Sequence, residues 1–135
     1  MSDTTRFGIS MSQDLLEKFD RLIRKKGYTS RSEALRDLVR NALIEDMWEN
    51  ESGTLAGTIT IIYEHDAHGI TDTLTHIQHG FHHLIISTVH VHFDEKNCLE
   101  VLIVRGKAQD IKKLYEKVSS PKGVKHSRLS VTAII

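Results

Sequence analysis

The sequence predicts an α+β chain in two modules, residues 1–51 and 52–135. Three patterns carry that expectation: polar and apolar residues alternating from Arg6 to Met11, two helical stripes between Leu15 and Leu43, and a strand, helix, strand, strand, helix, strand order after Ser52 and Gly53. Hydrophobic residues are 39% and charged residues 27% of the 135, with a single proline, a composition that fits packed rather than disordered modules. The opening MSDTTRFGIS lacks the basic and apolar regions of a secretory signal. No stretch approaches the roughly 18 apolar residues of a membrane helix. A cytoplasmic protein with no membrane partner is expected.

The first element, Arg6 to Met11, places Phe7, Ile9 and Met11 on one face and Arg6, Gly8 and Ser10 on the other, as in a half-buried strand. Ser12 is a helix N-cap, Leu15, Leu16, Phe19, Leu22 and Ile23 recur at helical spacing, and Gly27 stands where a left-handed cap closes the helix. Ser30 and Glu33 fit a capping box for a second helix, whose apolar stripe runs from Ala34 to Leu43 and on toward Trp48. One strand and two helices bury too little to stand alone. A second copy, pairing its strand antiparallel, would bury Phe7, Ile9 and Met11 and leave Arg6, Gly8 and Ser10 outward. Such a ribbon fits a DNA major groove, where arginine reads guanine edges. Net charge over the whole chain is zero, but Arg6 to Arg40 carries nine Lys and Arg against five Asp and Glu. The plainer reading makes the strand a dimerisation element and the basic excess a solvated surface.

The segment RFGISMSQDLLEKFDRLIRKKGYTSRSEALRDLVRNAL resembles the ribbon-helix-helix module of the nickel-responsive transcriptional regulators, most specifically in GYTSRSEALRD. The resemblance implies double-stranded operator DNA as partner, with Arg6, Gly8 and Ser10 at base-contacting positions and the start of the second helix, Ser30 and Arg31, holding phosphate. It departs from the family at Gly8, where a hydroxyl-bearing residue is frequent, so readout there must differ. It also places Glu33 and Asp37, one turn apart, where the family's acids help hold a second cation. Both acids have a plainer use, Glu33 in the capping box and either one paired with Arg36 or Arg40.

Beyond Gly53, strands are expected over Thr54–Glu64, Leu84–Phe93, Cys98–Gly106 and Val124–Ile135. One helix carries Ile70, Leu74, Ile77 and Phe81, and another carries Ile111, Leu114, Tyr115 and Val118. That order is the split βαβ, ferredoxin-like plan, which does not itself specify function. Eight of the nine histidines fall between His65 and His92. Two residues apart on a strand, His90 and His92 share a face, with Val89, Val91 and Phe93 turned to the core. A loop of Asp94, Glu95, Lys96 and Asn97 brings the sole cysteine, Cys98, back beside His92. These are three donors for one ion. A fourth is sought on the preceding helix, where His76, His79 and His83 form a stripe facing away from its own sheet and therefore toward a neighbouring subunit.

The run QHGFHHLIISTVHVHFDEKNCLEV resembles the metal domain of the same family, of ACT-like fold, and the likeness extends from Arg6 to about Leu129. It implies one Ni(II) per subunit, held by His90, His92 and Cys98 of one chain and His79 of another, in a homotetramer built as a dimer of dimers. Ligand type alone also suits zinc, copper or cobalt, and the choice of nickel follows from the resemblance. His65, His68 and His126 read as surface residues. His76, His82 and His83 could bind further metal, line an interface or orient ligands. An enzyme with a catalytic metal is a competing reading, but Glu100 is its only candidate acid or base and no phosphate-binding glycine loop is present. A domain that senses a small organic effector is another. The favoured expectation is a metal-responsive repressor with no small-molecule substrate.

Overall fold

Two serines start the N-terminal helices. In the computed structural model, which describes residues 3–135, Ser12 Oγ accepts from the Leu15 N–H at 3.3 Å and opens α1 (Gln13–Lys25). Ser30 Oγ accepts from the Glu33 N–H at 3.2 Å and opens α2 (Arg31–Glu49). Met1 and Ser2 of the predicted first module lie outside the described residues. The expected capping box takes a different second half, since the Glu33 carboxylate reaches past the cap to accept from the Thr29 hydroxyl at 2.8 Å. Gly27, at φ +85°, turns the chain after α1, and the Tyr28 N–H returns to the Ile23 carbonyl at 2.9 Å.

Among the described residues of this N-terminal unit, which ends at Arg40, Ile23 and Ala34 are the only buried apolar side chains. Phe7 is 76% and Ile9 52% exposed, and Leu15, Leu22, Leu38 and Val39 are also open to solvent. Residues 3–12 form no strand ladder within the single chain.

The second unit starts at Asn41, so it takes in the rear half of α2. There Ile44, Met47 and Trp48 pack on its core, and Lys112 Nζ donates to the Trp48 carbonyl at 3.1 Å while standing 4.6 Å from that ring's centroid. Ser52 and Gly53 follow the end of α2, with Gly53 at φ +73°. Then follow β1 (Leu55–Glu64), α3 (Ile70–Gly80), β2 (Ile85–His92), β3 (Asn97–Gly106), α4 (Ala108–Ser119) and β4 (Val124–Thr132). The sheet order is β2-β3-β1-β4 with antiparallel neighbours, the predicted ferredoxin-like plan. Ile70 and Leu74 of α3, with Ile111, Leu114 and Val118 of α4, cover one sheet face through Ile59, Ile61, Leu102 and Val104.

Two expectations need correction. Val89, Val91 and Phe93 do not face this core, being 50%, 45% and 66% exposed. In the β2–β3 register His90 lies opposite Glu100 and His92 opposite Cys98, both buried on the helix-covered side, so the intervening apolar residues fall on the helix-free side. His83 is not on the helical stripe either, because α3 ends at Gly80 and the chain turns through Phe81 to Leu84.

Candidate functional site

A turn, an edge strand and a helix end create the candidate metal centre. Asp94 Oδ1 accepts from the N–H groups of Lys96 and Asn97, each at 2.8 Å, and Phe93 N–H donates to the Asn97 carbonyl at 2.9 Å. The Asn97 side chain, then the Lys96 and Asn97 amides, hold the Asp94 carboxyl below the usual carboxylate range. This tight turn sets His92 opposite Cys98. Cys98 is fully buried, and its Sγ lies 3.6 Å from His92 Nδ1. The sulfur therefore meets an imidazole at the margin of the apolar core.

His90 shares the face of His92, with ring centroids 5.6 Å apart, but its Nε2 turns to the Tyr63 hydroxyl at 3.3 Å. Burial first, then the charges of Glu100 and Cys98, push the Tyr63 hydroxyl well above its ordinary pKa. It stays a neutral group able to donate to that nitrogen. His79 lies exposed near the end of α3, outside the cluster made by its own chain. Beside it, Gln78 Nε2 donates to the buried Glu100 at 2.8 Å and ties the end of α3 to β3 opposite His90. Gln78→Ala strips that buried carboxylate of a donor. It is expected to lower unfolding stability by about 1–3 kcal/mol, measured by denaturant titration, and a loss under 0.5 kcal/mol would show the tie to be dispensable.

The sequence reading missed a neighbour. His65, just past β1, presents its Nδ1 to Cys98 Sγ at 3.5 Å, and one donor atom each from His65, His92 and Cys98 lies within 4.8 Å of the others. Tyr63, Gln78 and Glu100 also received no supporting role there. The register of β1 on β3, which sets Tyr63 opposite Cys98 and Glu64 opposite Asn97, is the signal that would have placed His65 at the hairpin turn.

In the N-terminal unit Arg6, Gly8, Ser10 and Ser30 are exposed. Arg31 donates through Nε and an Nη to both oxygens of Asp20 at 2.8 Å, and these bonds hold the Asp20 carboxyl below its ordinary range. That orients the guanidinium at the start of α2. Glu33 and Asp37 line one recess with Tyr28, Arg36 and Arg40. Asp37 already accepts from the Tyr28 hydroxyl at 2.7 Å and pairs with Arg40 at 3.5 Å.

A family model described as NikR C terminal nickel binding domain matches residues 56–132, and one described as ribbon-helix-helix protein, copG family, matches residues 5–46. A protein of Dictyoglomus thermophilum named as a nickel-responsive regulator is 55% identical over 135 residues, covering 100% of both chains. One of Pelobacter propionicus with the same name is 53% identical over 133 residues, covering 98% of this chain and 96% of its own. The solved structure of an uncharacterized protein of Thermotoga maritima superposes with a TM-score of 0.50 at 18% identity, over 59% of this chain and 96% of that one, a likeness of fold alone. No helix among the described residues is long and apolar enough to cross a membrane.

Proposed function

The chain belongs to the nickel-responsive regulators, with a ribbon-helix-helix domain followed by an ACT-like metal domain, and from that premise we propose that it is a cytoplasmic repressor switched on DNA by inter-subunit Ni(II). One observation supports this most: the Cys98 thiol, the chain's only one, is held 3.6 Å from His92 Nδ1 on the sheet face that also carries His90. A thiol and two imidazoles suit a borderline metal ion, so the residues present fit nickel. His90, His92 and Cys98 of one chain and His79 of another hold one Ni(II) per subunit. Nickel supplies a bond between chains.

The rest is done by the protein. Unpaired segments around Phe7 and Ile9 meet their copies in a ribbon, burying what the single chain leaves exposed and directing Arg6, Gly8 and Ser10 at bases. Two such dimers form a tetramer that addresses two operator half-sites, and linking them raises effective concentration. Ligand binding favours DNA only if the DNA-competent arrangement holds the metal more tightly, a coupling of about 1–3 kcal/mol in typical systems. Acid should weaken the response, since protons compete for the thiolate and neutral imidazoles. The family's role is regulation rather than catalysis, and no substrate is required.

Full-length protein titrated with Ni(II), with duplexes selected from a random pool in its presence, tests this. Saturation at one ion per chain and retention of DNA lost on adding a chelator are expected. If nickel saturates the protein but leaves DNA affinity within twofold of the metal-free value, the switch is wrong.

A further inference from the structure

We propose that Lys112 is a positioning residue for the nickel response: a latch on α4 that fastens the C-terminal end of α2 and passes the state of the metal domain to that helix. The need for a latch is written in α2 itself. Its last residues read IEDMWE, with Glu45, Asp46 and Glu49 and no basic residue in the last turn, and Glu51 follows. A helix C-terminus carries unpaired carbonyls and the negative end of the peptide dipoles, so these carboxylates stand where acids are least favoured. The compensating cation comes from α4. Lys112 Nζ donates to the Trp48 carbonyl at 3.1 Å and to Glu51 Oε1 at 3.5 Å, and it stands 4.6 Å from the centroid of the Trp48 ring, the chain's only tryptophan. One ammonium thus meets a helix-end carbonyl, a carboxylate and an aromatic face. Its side chain is only 34% exposed, which limits screening by salt.

The backbone at the latch is strained. Glu51, at φ +51°, is the only non-glycine with positive φ among the described residues. Its β-carbon disfavours that conformation, which lasts only where the surroundings hold it. The Lys112 contact is one hold. Another is the Ser52 N–H, which returns to the Met47 carbonyl at 3.0 Å and closes the helix. Gly53 then passes so near that a β-carbon there would meet Met47 Cε at 2.9 Å. Lys112 also has a route to the metal donors, since its neighbour Ile111 shares one buried core with Cys98, and Trp48 packs on that core. Close packing passes small displacements on. At the other end, α2 is a single helix from Arg31 to Glu49 that starts in the first unit and ends in the second. The latch stands on these contacts alone, whereas its part in DNA binding rests on the proposed nickel reading.

The full-length protein can be compared with its Lys112→Met variant, which keeps an aliphatic stem and loses the charge. Ni(II) affinity, measured by chelator competition, should stay within about twofold and melting should stay near that of the parent. Hydrogen exchange at the Asn50 and Ser52 amides, which bond to Asp46 and Met47, should quicken by at least about fivefold. The gain in affinity that nickel confers on a duplex selected in its presence should fall by at least about threefold, a size typical of residues lying between coupled sites. Exchange that quickens less than this overturns the latch. Quickened exchange with a smaller fall in the gain overturns its part in the response and leaves the nickel reading intact. A matching loss of Ni(II) affinity also overturns it, by making Lys112 a support of the metal site rather than a link beyond it. A parent protein whose DNA affinity ignores nickel would sink the nickel reading and with it the positioning role, while the exchange rates would still decide the latch.

Discussion

Cys98→Ala is expected to abolish the nickel response while leaving the fold in place. The side chain is fully buried beside Tyr63, yet it loses only one atom, so the stability cost should be about 1 kcal/mol. The loss to the metal is of another order. Altering groups that merely orient a ligand costs roughly 10–100-fold in metal affinity, and removing the only thiolate should cost at least about 100-fold. The remaining imidazoles cannot give the sulfur-to-nickel absorption of the parent, so that band should vanish. DNA retention should then stop depending on nickel. Thermal unfolding separates this from collapse of the domain, because a variant with near-parental melting and no metal response isolates the ligand. A variant that keeps the band and still needs nickel to hold DNA would remove Cys98 from the donor set.

Much of this site was legible from local spacing. Period-two alternation put His90 and His92 on one face, and the four-residue turn returned Cys98 to His92, both of which the register reproduces. Alternation says which residues share a face and not which face the helices cover. That is why Val89, Val91 and Phe93 were assigned to a core they do not join: on edge strand β2, apolar residues on the helix-free side look in sequence like buried ones. His65 was illegible for a different reason. Its contact with Cys98 spans 33 positions and depends on the pairing of β1 with β3, which no short motif encodes. The packing of Trp48 beside Lys112 was illegible for a related cause, since it joins the end of α2 to a helix far along the chain. In the N-terminal unit the sequence argument rested on an absence, a strand with no partner, and the exposure of Phe7 and Ile9 fits that incomplete surface.

Arg6→Ala should give the complementary pattern, with nickel binding intact and operator binding lost. Arg6 lies before α1 in the N-terminal unit, whereas the four proposed nickel ligands lie in the second unit, so affinity for Ni(II) should stay within about twofold. A bidentate arginine–guanine contact carries about 1–3 kcal/mol. Each ribbon brings two copies, so the specific complex should weaken by about 100-fold or more. Affinity for unrelated duplex should fall far less, because the other cations of the unit remain to attract phosphate. The ratio of specific to unrelated binding, measured at fixed salt, is therefore the informative quantity. A uniform loss on all duplexes, with a shallower salt dependence and an unchanged ratio, would make Arg6 a phosphate contact and move sequence readout to Ser10 and the backbone at Gly8.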